Sequence, residues 1–149
     1  YNEYFGGGMN TIVFQEMREA RGLAYSAWAT LATPSNANGD YSYYAFIATQ
    51  NDKMQKAVEA FDDIINNMPE SEKAFGRARD LGLDAPRDKQ IFEKVQSMTL
   101  DDVKAAQQKW VKGRKYVYGI LGDIQDLDLN YLKTLGPIQT VSQEEIFGY

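Results

Sequence analysis

The sequence predicts an α+β fold, in which an antiparallel sheet carries helices that pack mainly on one of its faces. Two aromatic-rich segments flank a turn-forming run that begins at Pro34, which is the pattern of an antiparallel hairpin. The stretch Lys53–Asn67 has apolar residues at helical spacing and stops before Pro69. A further apolar segment, Tyr116–Leu121, has the composition of a central strand.

Length and composition fit one globular domain, with 149 residues of which 44% are hydrophobic and 25% charged. The formal net charge of −5 disfavours a nucleic-acid partner, which usually leaves a basic footprint. No apolar run reaches the roughly 20 residues that a membrane-spanning helix needs. No signal peptide is visible, so the sequence leaves the compartment unknown. The first residue is Tyr1 rather than Met, in mid-pattern, and we expect the chain to be a fragment.

The sequence contains neither histidine nor cysteine. Histidine is the commonest metal ligand and a frequent general base, and zinc sites are built mainly from imidazole and thiolate ligands. The lack of cysteine also removes disulfide and thiolate chemistry. We therefore expect this chain by itself to hold no metal and no cofactor.

The N-terminal segment is predicted to run from a strand end into a buried helix. Tyr1–Phe5 alternates weakly, as a strand end does, and Gly6–Gly8 follows. A glycine run before a helix can cradle an anion. Because the Gly-Lys-Ser/Thr of a phosphate-binding loop is missing, we interpret the run as a connection that lets two elements pack closely. Asn10 is the predicted N-cap. The apolar residues of the helix are Met9, Ile12, Val13, Phe14, Met17 and Ala20.

Arg18 and Tyr25 flank the junction between this helix and the next strand. Gly22 lies between them, and glycine takes the positive φ of a helix C-terminus without steric cost. Since the chain reverses there, a guanidinium and a phenol can be aimed into one space. Taken alone, the residues favour a simpler interpretation, in which Arg18 stabilises the helix C-terminus and Tyr25 suits a strand.

A hairpin and a long helix follow this junction. Leu23–Ala32 and Tyr41–Gln50 are the predicted strands, and neither face of the second is clearly polar. Its tyrosines could grip an extended peptide through a strand edge, although we favour core packing for most of these rings. Asp52 and Gln55 resemble a capping box at the start of the helix. The inner face of this helix is predicted to be Met54, Ala57, Val58, Phe61, Ile64, Ile65 and Met68.

The second half of the chain contains shorter predicted elements. Thr99 and Asp102 form a capping box, and Asp128 is a predicted N-cap. A basic turn around Gly113 could touch an acidic partner, although a solvated turn is the simpler interpretation. The elements are the helices Lys89–Gln96, Leu100–Val111 and Leu129–Leu135, the strand Tyr116–Leu121 and a last short turn within Ser142–Tyr149.

Several motifs carry a resemblance to a known family. Three lie near the N-terminus: Tyr4–Asn10, Phe14–Glu19 and Gly22–Ser26. They resemble the pitrilysin-type zinc metallopeptidases, the inverzincins, which include insulin-degrading enzyme, the mitochondrial processing peptidase and the presequence proteases. Weaker similarity downstream extends the resemblance over most of the chain, at Gly82–Asp84, Met98–Val103, Leu121–Asp123 and Glu144–Tyr149.

The resemblance implies a domain and a role. In this family a catalytic domain carries an H-x-x-E-H zinc motif. A second domain lacks the motif, closes over the substrate and supplies an Arg and a Tyr. Arg18 and Tyr25 fall on those positions, so the resemblance implies that they are catalytic residues that hold the substrate peptide group. Residues 1–149 would be the later part of such a non-zinc, C-terminal domain, whose first strands precede Tyr1.

One region departs from the family pattern. The family has a long helix and a further helix before the Gly-Leu-Asp turn, whereas here Ala74–Gly76 passes almost directly to Arg77–Asp84. A family helix is therefore expected to be missing near residues 76–77. Either the protein has shortened this region or residues are omitted there, and the sequence leaves both open.

The predicted function is that of a substrate-binding part that completes the active site of a zinc-dependent metalloendopeptidase, not active alone. The implied partners are an upstream zinc-containing domain or partner subunit, which supplies the zinc, and a peptide substrate. The alternative is a non-catalytic scaffold or binding subunit of a pitrilysin-type assembly, since some relatives have lost the zinc motif. Retention of both Arg18 and Tyr25 favours an active parent. An unrelated α+β binding domain would need the glycine loop, the spacing of Arg18 and Tyr25 and the C-terminal tail all to match by chance.

Overall fold

The predicted hairpin forms the sheet. A computed structural model describes residues 1–35, 38–81 and 89–148. Strand β1, Ser26–Ala32, pairs antiparallel with strand β2, Ser42–Ala48, and Trp28 lies opposite Phe46. Both strands are shorter than the sequence predicts, but the antiparallel pairing is confirmed.

The two faces of the sheet have different surroundings. Ala27 and Ala29 of β1 are buried and join one core with residues of the helices. Trp28 and Phe46 stack with ring centroids 5.9 Å apart on the other face, where both remain partly exposed, and Tyr44 of β2 is also exposed. Helices therefore pack mainly on one face, as predicted for this α+β fold.

The first element is a helix, α1, Asn2–Phe5, and the prediction of a strand end at Tyr1–Phe5 is wrong. Tyr4 and Phe5 are both fully buried although they are neighbours in sequence. A strand would point them to opposite faces, whereas one helical turn, closed by the Phe5 N–H on the Tyr1 carbonyl at 2.8 Å, buries both.

Helix α2 is α-helical over Ile12–Phe14 and π-helical over Gln15–Ala20. Ile12, Val13 and Met17 are buried, which confirms a buried helix, but Met9 lies outside it and is exposed. Its N-cap is Thr11 rather than Asn10, and the Thr11 hydroxyl donates to the Gly8 carbonyl at 2.6 Å.

Helix α3, Met54–Asn66, follows a short 3₁₀ turn at Asn51–Lys53. The predicted helix is confirmed, but the capping box is not, because Asp52 lies within the 3₁₀ turn and Lys53 has no side-chain capping bond. Its buried residues, which confirm the predicted inner face at most positions, are Met54, Ala57, Ala60, Phe61, Ile64 and Ile65.

The remaining helices are largely those that the sequence predicts. Thr99 and Asp102 form the predicted capping box, and the Asp128 carboxylate accepts from the Tyr131 N–H at 2.9 Å. A second capping box joins Ser142 to Glu145. The helices are α4, Glu72–Leu81, α5, Lys89–Ser97, α6, Leu100–Trp110, α7, Leu129–Leu135, and α8, Gln143–Phe147.

Helix α4 runs through Gly76 without a break. Whether a family helix is missing near residues 76–77 stays a prediction. The motif Gly82–Asp84 lies outside the described residues.

The segment Tyr116–Leu121 is not a strand, so that prediction is wrong. Within the described residues the sheet consists of β1 and β2, and this segment has no ladder partner there. Val117 and Leu121 are fully exposed, while Tyr116 packs against the core. Apolar composition raises strand propensity, but a strand also needs a neighbour for its backbone hydrogen bonds. Across the described ranges, no helix has the length and apolar character to cross a membrane.

Candidate functional site

The junction between α2 and β1 is closed by backbone hydrogen bonds. Gly22 has φ of 57°, the left-handed conformation that the sequence predicts there. The carbonyl of the fully buried Met17 accepts from the Leu23 N–H at 2.8 Å and from the Ala24 N–H at 3.2 Å. Because Met17 is held in the core, this arrangement fixes the path of the backbone from the last turn of α2 to the start of β1.

Arg18 lies on that last turn with its side chain 49% exposed. Its guanidinium carbon lies 5.1 Å from the centroid of the Phe14 ring, so the guanidinium makes a cation–π contact with the face of that ring. Its Nε is 3.7 Å from a carboxylate oxygen of Glu19. An exposed ion pair this long contributes little stability, so the guanidinium keeps donors for another acceptor.

Tyr25 immediately precedes β1 and its side chain extends into solvent. Its backbone N–H donates to the Ala48 carbonyl at 2.8 Å, which ties the residue to the sheet. The residue is 64% exposed. Among the described residues, no hydrogen bond is formed by its hydroxyl. A rigid backbone with a solvent-facing phenol suits a residue that donates to a ligand.

A cavity of about 190 Å³ adjoins Tyr25, and the residues Gly22–Tyr25 form one wall. Gln50 and Lys53 also line it. The Lys53 ammonium nitrogen lies 3.4 Å from the Gly22 carbonyl oxygen. Sequence reasoning missed Gln50 and Lys53 because only tertiary packing brings them to the junction. Lys53, for example, is 31 positions from Gly22 in the sequence.

The neighbouring Arg21 is already engaged by carboxylates. Its Nε is 3.4 Å from a Glu16 oxygen, and an Nη is 3.4 Å from an Asp63 oxygen. The pKa of Asp63 is lowered, first by a hydrogen bond from the Asn67 side chain and then by Arg21. Arg21 therefore differs from Arg18 in its partners although it lies next to Gly22, which makes it a matched control.

A buried polar cluster lies elsewhere in the core. The Tyr1 hydroxyl donates to the Gln107 side-chain carbonyl, and the Gln107 amide donates to the Ile65 carbonyl. The Tyr43 hydroxyl is buried and has no hydrogen bond of good geometry among the described residues, although the Tyr1 hydroxyl is near enough to influence its pKa. Burial raises the pKa of Tyr1 and of Tyr43 well above the usual range. Both phenols thus stay neutral, and their contacts are those of core residues.

The residues present do not fit a zinc site. The sequence lacks the imidazole and thiolate ligands that zinc usually takes. In the described part of the chain, no group of three Asp or Glu residues is placed to hold a metal ion.

The observed features define a class of protein: an α+β domain without histidine or cysteine that presents Arg18 and Tyr25 at a helix-to-strand junction. A family model described as the Peptidase M16 inactive domain matches residues 1–81. The match covers more than half of the 149 residues, and the chain belongs to this family as a pitrilysin-type, non-zinc C-terminal domain. A search of curated protein sequences gives no match.

The matched region contains Arg18, Tyr25 and the three N-terminal motifs. An inactive domain of this family implies a partner catalytic domain. The match ends at Leu81, so the motifs downstream remain resemblances.

Proposed function

We propose that this chain binds peptide substrate and completes the active site of a zinc-dependent metalloendopeptidase whose metal lies in the partner domain. The single observation that carries the proposal is the place of Arg18 and Tyr25. Both lie inside the family match, on either side of Gly22, and both side chains are exposed. A chain without histidine or cysteine would not supply the zinc chemistry by itself.

Tyr25 donates its hydroxyl hydrogen to the carbonyl oxygen of the peptide group that is cleaved. This oxygen gains negative charge during hydrolysis, and a donor placed there stabilises the transition state more than the bound substrate. Two features support the assignment: the backbone bond to Ala48 fixes the position of Tyr25, and the side chain is largely exposed.

Arg18 holds the substrate through the planar fork of its guanidinium, which suits carbonyl and carboxylate oxygens. Its weak, exposed contact with Glu19 leaves these donors accessible. The contact with Phe14 already restricts the Arg18 side chain. Arg18 therefore loses less conformational entropy when it binds substrate.

The test of this role uses the complete protein with its zinc-containing domain and a fluorogenic peptide. Arg18→Ala removes a charged hydrogen-bond donor, so kcat/KM is expected to fall about 10- to 100-fold. Arg21→Ala is the matched control, because that guanidinium pairs with Glu16 and Asp63 at the surface. Its kcat/KM should stay within about twofold of the wild-type value. Equal kcat/KM values in the two variants would contradict the role of Arg18.

A further inference from the structure

Four backbone N–H groups beside the cavity next to Tyr25 already have hydrogen-bond partners within the protein. The N–H groups along its Gly22–Tyr25 wall all donate to carbonyl oxygens of the protein, and the Leu23 carbonyl accepts from the Thr49 hydroxyl at 2.6 Å. The carbonyls that accept the N–H groups belong to Met17, Arg18 and Ala48. Acceptor atoms of a ligand in this cavity would therefore be recognised by side-chain donors rather than by these backbone N–H groups.

Three residues that line the cavity, Tyr25, Gln50 and Lys53, have side chains that can donate hydrogen bonds. Hydroxyl and amide groups can also accept, but an ammonium group only donates. An anionic or carbonyl oxygen matches this set better than a cation does.

The Lys53 ammonium group has hydrogen-bond donors that remain accessible to a ligand. Its ammonium nitrogen donates to the Gly22 carbonyl oxygen at 3.4 Å, a long bond that uses one of its hydrogens. Across the described ranges, no carboxylate lies within ion-pair distance of it. Lys104, by contrast, pairs with Glu70 at 2.6 Å. Lys53 as a residue is partly buried, and its ammonium contact with Gly22 lies at the surface, where a ligand can reach it.

We propose that this cavity is a specificity subsite for an acidic side chain of the peptide, Asp or Glu, close to the bond that is cleaved. Lys53 pairs with the carboxylate, and Gln50 donates a hydrogen bond to it. This inference rests on the proposed function, because Tyr25 lines the same cavity and places the subsite beside the bound peptide group. Lys53 is thus a specificity-determining residue rather than a catalytic one.

The experiment uses the complete protein and peptides that differ at one position, with Glu, Gln or Lys in turn on each side of the cleaved bond. Peptide binding is measured by competition in fluorescence anisotropy, and cleavage is measured in parallel. Wild-type protein should favour Glu over Lys at one of these positions by about 3- to 5-fold, the range of a partly exposed ion pair. Lys53→Met should remove the preference, and Lys53→Glu should reverse it.

Lys56→Glu is the matched control, since Lys56 is exposed in the first turn of α3, directly after the 3₁₀ turn that contains Lys53, and does not line the cavity. It makes the same change in net charge, so an equal effect on peptide preference would indicate long-range attraction and overturn the subsite. An unchanged preference for Glu over Lys peptides in Lys53→Glu would also overturn the subsite.

The proposed function and the subsite can fail separately. If Tyr25→Phe lowers cleavage while Lys53→Glu leaves the peptide preference intact, the proposed function stands without the subsite. If Tyr25→Phe leaves cleavage intact, the proposed function fails, and the binding data still decide the subsite.

Discussion

Gly6 and Ala29 are in direct backbone contact, where the end of α1 meets the middle of β1. The Ala29 N–H donates to the Gly6 carbonyl at 3.1 Å. A Cβ atom at residue 6 would lie 2.1 Å from the Ala29 carbonyl oxygen, far inside contact distance. The interpretation of the glycine run as a close-packing connection is therefore confirmed at Gly6.

Substitution of this glycine should destabilise the protein. Gly6→Ala forces backbone away from backbone, and the free energy of unfolding is expected to fall by at least about 2 kcal/mol. Gly8→Ala is the control, because a Cβ there meets no atom within 4 Å. Urea unfolding of the complete protein measures both. Similar stability in the two variants would contradict the close contact.

Gly22 is predicted to be needed for its left-handed conformation. An alanine at φ of 57° costs about 1–2 kcal/mol, and relief of this strain would change the path from Arg18 to Tyr25. Gly22→Ala should therefore lower kcat/KM by more than its loss of stability explains.

Gly76 lies within α4 with open space around it. Because alanine favours a helix more than glycine does, Gly76→Ala should raise the free energy of unfolding by up to about 1 kcal/mol. Thermal melts measure the stability of the Gly22→Ala and Gly76→Ala variants, and peptide kinetics measure the activity of Gly22→Ala. Full activity in a folded Gly22→Ala protein would refute the expectation for Gly22.

The buried Tyr43 hydroxyl offers a test of polar burial in the core. Since it lacks a hydrogen-bond partner among the described residues, Tyr43→Phe removes an unpaid desolvation cost and should leave stability unchanged or raise it by about 1 kcal/mol. Tyr1→Phe should instead destabilise by about 1–2 kcal/mol, because it removes the donor to Gln107. Denaturant midpoints compare the two. A larger loss in Tyr43→Phe than in Tyr1→Phe would contradict this assignment.

Elements whose information is local were predicted well from the sequence. The apolar stripe of α3 repeats along all 13 residues of the helix, so its helical spacing identifies the buried face without reference to the rest of the fold. The capping box of Thr99 with Asp102 and the positive φ of Gly22 are also local.

Elements that depend on distant partners were predicted poorly. Tyr116–Leu121 has strand composition, but the described residues provide no neighbour to pair with it. Tyr1–Phe5 became a helix because the core buries Tyr4 and Phe5 together. Lys53 lies beside the cavity because of tertiary packing, which no local sequence pattern predicts. For the site itself, family resemblance rather than residue chemistry selected Arg18 and Tyr25, and their catalytic roles stay predictions.

The most direct test of the account is steady-state kinetics of Tyr25→Phe in the complete zinc-containing protein. This change removes one hydroxyl from a 64% exposed side chain. The variant should fold like the wild type, lose about 10²–10³-fold in kcat and change less in KM, as expected for a donor that acts in the transition state. Tyr44→Phe, on an exposed tyrosine of the outer sheet face, controls for loss of a surface phenol and should keep wild-type kcat. Wild-type kcat in Tyr25→Phe, with Tyr44→Phe equally active, would contradict the claim that this domain completes the active site through Tyr25.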